Sequence, residues 1–515
     1  MCDRHDPHQV AFRFVDADHV GSDLTYGELR SRSLRVAAAL AAQGVGEGDR
    51  VASLLGKGPD LPSLILGIWR LGAVYVPLFT AFAASAVAER IESAGVRLVV
   101  SDRDQLAKVT DLSCTVALAH EPSGAEPLGY LDLSAAIAHG EQWEGRGPRG
   151  GPDTPIVQMA TSGTTGKPKV VVHPLAYAAG WQSYVERAIA PSGVYWCGAD
   201  PGWAYGLYAL IVGPLAAGVP ALFTRGTFSP AATWKVLEDF EVTDFAAAPT
   251  AFRALRASDH GTSLPALRGL SSAGEPLTPD VLEWARTRFG LDVHDHFGQT
   301  EIGMVAGFPH DQELAVRIEP RAMGTALPGW SISALRVDDD ADAGPGETGR
   351  LAVRVDDSPF FTFTGYGVER DVPGSRFSAD GTYYFPGDLA SRGQDGLIRF
   401  TSRDDDVILM AGYRIGPFDI ESVLVEHPLV AECAVVASPD ELRGEVVHAF
   451  VVTSGPVEDE KGLTAELQEW VRVHYAAHAY PRVVTFRDAL PKTPSGKVQR
   501  TLLRQEARAD TERRP

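Results

Sequence analysis

Residues 161–169 read Thr161-Ser162-Gly163-Thr164-Thr165-Gly166-Lys167-Pro168-Lys169. Hydroxyl side chains, glycines, a proline and lysines share this short stretch, and glycine and proline both interrupt helices and strands. The apolar residues before it (Ile156, Val157, Met159) and after it (Val170, Val171, Val172) read as two strands, so the stretch is a loop hung between them. Glycines let backbone N–H groups approach an anion closely, and hydroxyl and ammonium groups add donors. The loop therefore reads as a phosphate cradle. It is not a Walker A loop, which needs four residues between its glycines and then Lys-Ser/Thr. Here two residues separate Gly163 from Gly166, and Pro168 follows Lys167. A flexible Gly/Ser linker gains nothing from Lys-Pro-Lys or from valines packed alongside.

Outward from this loop, the chain alternates helices with short apolar strands. Thr25 and Glu28 have capping-box spacing at the start of a helix whose apolar side is Leu29, Leu34, Ala37, Ala38 and Ala41. Strands are expected at 51–55, 74–78 and 98–101, with helices at 62–71 and 86–94 between them. Beyond the loop the pattern continues as strand 216–224, helix 231–240, strand 244–248 and helix 279–289. Such alternation implies parallel sheets covered by helices on both faces. The Gly44–Gly48 cluster follows a helix and precedes a strand, the wrong order for a dinucleotide site, and reads as a turn. Between about 324 and 400 the texture changes to short strands such as 351–355 separated by Gly and Asp turns, which implies a small antiparallel sheet. The charge run Arg403-Asp404-Asp405-Asp406 reads as a solvated loop. A compact α+β pattern restarts after it, with a helix near 418–426, strands at 431–437 and 448–452, and a helix at 464–474. The expected organisation is thus an N-terminal domain 1–402 with a β-rich subdomain at about 324–400, a hinge at 403–406, and a mobile C-terminal domain 407–515.

The chain has 515 residues, and single hydrophobic cores stop growing at roughly 250–300 residues, so several cores are expected. A formal net charge of −20 disfavours nucleic acid or an anionic membrane as partner, although a locally positive cleft can still take an anionic substrate. Cys2, Cys114, Cys197 and Cys433 form no C-x-x-C pair, which fits a reducing compartment and neither a disulfide framework nor a metal site. The N-terminus lacks an apolar signal core. The apolar run 207–223 is broken by Gly213, Pro214, Gly218 and Pro220, and reads as buried core rather than a span. A soluble, cytoplasmic monomer or homodimer is expected. His474 and His478 lie four apart but Tyr475 stands where a zincin has Glu, so zinc is not expected there. No G-x-S-x-G elbow supports hydrolase chemistry.

The loop at 161–169 resembles the phosphate-binding signature of the adenylate-forming superfamily, which includes acyl-CoA synthetases, luciferases and peptide-synthetase adenylation domains. Further stretches resemble that superfamily's motifs in the same order over essentially the whole chain. Ser272-Ala273-Gly274-Glu275-Pro276 sits at a strand end, where a glycine turn leaves bare backbone for a flat ring. The resemblance places Gly274, Glu275 and Pro276 beside adenine. It lays Asp295, His296, Phe297, Gly298, Gln299, Thr300 and Glu301 along the nucleotide, with Thr300 on the α-phosphate and Glu301 on Mg²⁺, for which a carboxylate is a suitable hard ligand. Tyr384-Phe385-Pro386-Gly387-Asp388 resembles Y-x-T-G-D, with Pro386 in place of Thr. By the same resemblance Asp388 and Arg403 hold the ribose and Asp405 is the hinge residue. Arg414 meets a phosphate, and Gly412 leaves room for the pantetheine arm of CoA. Lys497, in Pro491-Lys492-Thr493-Pro494-Ser495-Gly496-Lys497, resembles the C-terminal catalytic lysine.

The implied activity is ATP- and Mg²⁺-dependent activation of a carboxylic acid to an acyl-adenylate with loss of pyrophosphate, followed by transfer to CoA. Two anions must approach, so positioning and electrostatics carry the chemistry. Ala199-Asp200-Pro201-Gly202-Trp203 resembles a segment of acetyl- and medium-chain acyl-CoA synthetases, which favours the CoA branch over a ligase that loads a carrier protein or an amine. Gly298 stands where acetate-specific members carry Trp. A medium-chain, branched or aryl acid near Trp203, Tyr205, Gly206 and Gly298 is the resulting expectation.

Overall fold

The computed structural model describes the chain except residues 111, 120–130, 146, 148–149, 162–168, 227, 368–375, 405, 411–412, 441–442, 494–496 and 514–515; at 413–414 and 511–513 it describes the backbone alone. The first helix runs Tyr26–Ala42, and the Thr25–Glu28 capping box forms in both directions. Two sheets dominate the larger part of the chain. One has seven strands in the order Leu131–Asp132, Thr115–Leu118, Leu98–Ser101, Arg50–Leu54, Val74–Pro77, Pro155–Thr161 and Lys169–Pro174, all parallel except the last. The other has nine strands. Its parallel centre (Val10–Val15, Ala221–Thr224, Tyr195–Cys197, Asp244–Ala247, Gly269–Ala273, Val293–Gln299) carries antiparallel strands at both edges.

Helices Tyr26–Ala42 and Asp60–Arg70 and the helical run 177–217 share one buried core with residues of both sheets, among them Phe12, Val51, Val157 and Phe223. The opposite face of the nine-stranded sheet packs on helices Pro230–Asp239, Pro249–Ala257 and Pro279–Phe289. The opposite face of the other sheet packs on Ala84–Ala94. Strands buried on both faces have no polar side, which is why they read as unbroken Val/Leu runs. The expected strand at 216–224 is shorter than its apolar run. The first half belongs to a buried helix that Gly218 terminates at φ +76°, and the strand is Ala221–Thr224. Residues that are apolar all round carry no period to separate the two states. No helix among the described residues is long and apolar enough to cross a membrane.

The antiparallel subdomain is Ile332–Leu335, Thr348–Arg354, Asp388–Arg392 and Ile398–Arg403, with Tyr383–Tyr384 pairing to the second of these. The C-terminal part forms its own sheet around Val430–Asp440 and Gly444–Thr453, and its own core of Ile408, Ile420, Val435, Val447, Leu467 and Val471. Among the described residues, its contacts with the rest of the chain include Phe400 against Phe418 (5.6 Å between ring centroids) and Arg321 with Glu426 (3.4 Å). A Cβ on Gly416 would lie 2.4 Å from the Thr401 carbonyl oxygen, so the backbones meet there directly. Within this part, Arg500 Nη2 donates to both oxygens of Glu421 (2.6 Å each), which also accepts the Val435 N–H (2.7 Å). Removing one partner of a buried pair strands the other charge. Arg500→Leu is therefore expected to lower stability by roughly 3 kcal/mol, read as a fall in the urea midpoint; an unchanged midpoint would contradict the role given to this pair.

Candidate active site

Parallel strands place ligands at their carboxyl ends, and the main cavity opens at that edge of the nine-stranded sheet. Its volume is about 510 Å³. Strand Gly269–Ala273 delivers Gly274, whose φ of +98° favours glycine and whose missing Cβ faces open space. Strand Val293–Gln299 delivers Asp295 to Gln299, and the turn beyond it delivers Thr300 and Glu301. The antiparallel hairpin Pro155–Thr161/Lys169–Pro174 brings in its two ends, with the Thr161 hydroxyl donating to the Lys169 carbonyl (3.2 Å). Asp388 and Arg403 enter from the antiparallel subdomain, and Lys497 from the C-terminal domain.

Thr161, Lys169, Gly274, Glu275, Pro276, Asp295, His296, Phe297, Gly298, Gln299, Thr300, Glu301, Asp388, Arg403 and Lys497 thus line a single cavity. Ser162, Gly163, Thr164, Thr165, Gly166, Lys167, Pro168, Asp405, Gly412 and the Arg414 side chain lie outside the described residues.

Lys497 is fixed by its own loop: its N–H donates to Thr493 Oγ1 (3.1 Å) and its carbonyl accepts the Thr493 N–H (2.7 Å). The residue is exposed and its side chain lines the cavity. Water displaced by the surrounding cavity wall lowers its pKa below the ordinary lysine value; Arg403 lowers it further, while Glu275 and Asp388 oppose the shift. Asp388 is 3% exposed and accepts from Arg403 Nη1 (3.2 Å to each oxygen) and Gln299 Nε2 (3.1 Å). Gln299 Nε2 and Arg403 Nη1 also donate to the Pro386 carbonyl (2.9 and 3.3 Å), as does Arg376. Position 386 therefore acts through its backbone, and the absent threonine hydroxyl leaves this network intact. Glu275 accepts from Thr250 Oγ1 (2.7 Å) and Arg253 Nη2 (3.0 Å). Burial pushes the Asp295 carboxyl up to about 7, against the Ser272 hydroxyl that donates to it. Burial likewise holds His296 well below the usual histidine range.

Tyr366 shows no periodicity or spacing that would mark it in sequence. Its hydroxyl donates to Glu301 Oε1 (2.7 Å), and Lys169 Nζ lies 4.7 Å from its ring centroid. Arg253 and Arg376 also face the cavity without any sequence signal.

Of the four residues expected near the acid, Gly298 lines the cavity and Trp203, Tyr205 and Gly206 do not. Trp203 packs with Phe79 and Phe82 (5.7 and 5.3 Å between centroids) in a separate aromatic cluster. Tyr205 does not line the cavity; its hydroxyl lies 3.1 Å from that of Tyr184, which lies 3.1 Å from His296 Nδ1. Gly206 is glycine because a Cβ there would sit 2.1 Å from the Asp200 carbonyl oxygen. At Gly298 a Cβ would sit 2.1 Å from the Gly303 carbonyl oxygen and 2.7 Å from Met304 Sδ. The bulge between Phe297 and Gly298 lets the two backbones close on each other, so a Cβ has no room there although Gly298 itself lines the cavity.

The chain belongs to the adenylate-forming AMP-binding enzyme family, in its acyl-CoA synthetase branch. The family's AMP-binding enzyme profile matches residues 2–366 and its C-terminal domain profile matches residues 419–497. Acetyl-coenzyme A synthetase of Bacillus subtilis (strain 168) is 33% identical over 514 residues, covering 96% of this chain and 87% of that protein. An acyl-CoA synthetase from Brucella canis of known structure is 40% identical over 99% of this chain and 94% of its own, with a TM-score of 0.76. MatB from Rhodopseudomonas palustris is 28% identical over 98% of this chain and 97% of its own; its ATP-bound form superposes with a TM-score of 0.85 and its apo form with 0.76.

Because a Cβ at position 298 would run into the Gly303 carbonyl oxygen, Gly298→Ala is expected to lower the melting temperature by several degrees, the shift that follows from overpacking of about 1–3 kcal/mol. A variant that melts like the parent would show that the two backbones do not press on each other there.

Proposed function

We propose that this protein is an AMP-forming carboxylate–CoA ligase: it joins a carboxylic acid to the α-phosphate of ATP, releases pyrophosphate, and passes the acyl group to the CoA thiol. One observation carries this reading. Lys497, from the C-terminal domain, stands in the same cavity as the ends of the Thr161–Lys169 hairpin, Thr300, Glu301 and Asp388. An ammonium at that place draws together a carboxylate and a phosphate that would otherwise repel. The better superposition on the ATP-bound than on the apo form of MatB supports the same arrangement.

The ribose would lie at Asp388, whose two oxygens can accept two hydroxyls, and adenine against Gly274–Pro276. Glu301 is buried, accepts a hydrogen bond from Tyr366, and has no cationic side chain in contact among the described residues. A buried carboxylate of that kind suits a hard cation, so Glu301 would hold Mg²⁺, which neutralises phosphate charge when bound. After the adenylate forms, the C-terminal domain (407–515) turns about the hinge at 403–406, withdraws Lys497 and brings Gly412 to the thiol path. Gly298 lines the cavity, and the acid is a medium-chain, branched or aryl carboxylate rather than acetate alone. The place of action is the cytoplasm.

Pyrophosphate release measured over a panel from acetate to decanoate plus aryl acids, with and without CoA, tests this. Turnover is expected to need CoA and to extend to medium-chain, branched or aryl acids; a strong preference for acetate would overturn the proposed acid class. Turnover supported by a pantetheinylated carrier protein or an amine instead would move the acceptor away from CoA.

Lys497→Ala is expected to slow pyrophosphate release by roughly 10²–10³-fold, the scale for one preorganised electrostatic group. Thioester formation from pre-made acyl-adenylate and CoA should be largely retained. Equal loss in both half-reactions would contradict the division of labour between them.

A further inference from the structure

Behind the cavity wall lies a buried polar layer that none of the expected roles uses. His173 Nε2 and the Tyr177 hydroxyl both lie within hydrogen-bond distance of one atom, the Thr300 carbonyl oxygen, at 2.7 and 2.9 Å. The two rings stack with centroids 4.0 Å apart and planes 4° apart, and Tyr208 meets both edge-on. His173 and Tyr177 are 1% and 2% exposed, and neither lines the cavity.

The proton positions follow from the partners. A carbonyl oxygen can only accept, and it has two lone pairs, so His173 Nε2 carries a hydrogen and Tyr177 donates beside it. His173 Nδ1 lies 2.7 Å from Tyr208 Oη. A neutral imidazole has one N–H, already spent on Thr300, so Nδ1 accepts from the Tyr208 hydroxyl. Burial lowers the His173 pKa to about 4, so the ring is neutral at physiological pH.

In a planar trans peptide the C=O of one residue and the N–H of the next point in opposite directions. With the Thr300 C=O turned into the core, the Glu301 N–H is turned toward the cavity, and it has no acceptor among the described residues. A peptide anchored by two buried donors cannot flip to show an anion its negative end. We propose that His173 and Tyr177 are positioning residues that lock the Thr300–Glu301 peptide plane so that the Glu301 N–H is a fixed donor to the phosphate of a bound adenosine nucleotide. The identity of that anion rests on the ligase reading; the locked peptide does not. Tyr208 completes the device by holding His173 in the required tautomer.

The test compares AMP with adenosine, which differ only in the phosphate, by calorimetry on the full-length protein. Tyr177→Phe keeps the ring and removes one donor. It is expected to weaken AMP binding about tenfold, in line with the worth of a hydrogen bond to a charged group, and to leave adenosine binding unchanged. Tyr208→Phe, which touches neither Thr300 nor the cavity, should show the same split more weakly. It serves if Tyr177→Phe folds poorly. Selective ¹⁵N-histidine NMR of the parent protein should show the His173 ring neutral with its hydrogen on Nε2. Equal weakening of AMP and adenosine, no weakening of either, or a hydrogen on Nδ1 would overturn the proposal. Failure of every acid to release pyrophosphate would instead sink the ligase reading while leaving the AMP–adenosine comparison intact.

Discussion

Two parts of the molecule meet at one buried carboxylate. Asp388 begins a strand of the antiparallel subdomain, Gln299 ends a strand of the nine-stranded sheet, and Arg403 is the last residue of the strand that leads into the C-terminal domain. All three are tied together by the hydrogen bonds of Asp388 and of the Pro386 carbonyl. A carboxylate so buried is tolerated only when its oxygens are satisfied, so the network fixes how the antiparallel subdomain sits against the sheet edge. The cavity follows from that placement. Its floor is the strand ends and its side wall is the subdomain, while its roof begins where Arg403 hands the chain on.

Much of this was legible because the elements carry local chemistry. The capping box at Thr25 and Glu28 names its own helix, and the Val/Leu strands between helices dictate parallel sheets. The two strands expected around residues 161–169 are present and pair antiparallel. Strand-end motifs such as Ser272–Pro276 and Asp295–Glu301 need no tertiary knowledge to be placed at a sheet edge, because strand ends are where ligands bind in such sheets. That residues scattered over more than three hundred positions share one cavity came from the resemblance of these motifs to the adenylate-forming superfamily, not from the strand ends alone.

What escaped the sequence is what depends on contact between distant backbones. Gly298 looked like a missing side chain and is instead a place where two strands of a bulged hairpin touch. Trp203 looked like a pocket wall and belongs to a neighbouring aromatic cluster. Tyr366 meets Glu301 and Lys169 across long loops, and His173 and Tyr177 meet Thr300 across more than a hundred residues. None of these pairings leaves a periodic or compositional trace. They arise from register and packing, which one sequence encodes only collectively.

Gly416 gives the small contact between the C-terminal domain and the rest of the chain an unusual sensitivity. Where its α-hydrogen lies against the Thr401 oxygen, even the smallest branched residue would act as a wedge. The seating of the C-terminal domain against Thr401 thus depends on the absence of one methyl group. Evolutionary tuning of the catalytic cycle could proceed through such a spacer without altering a single residue that touches substrate.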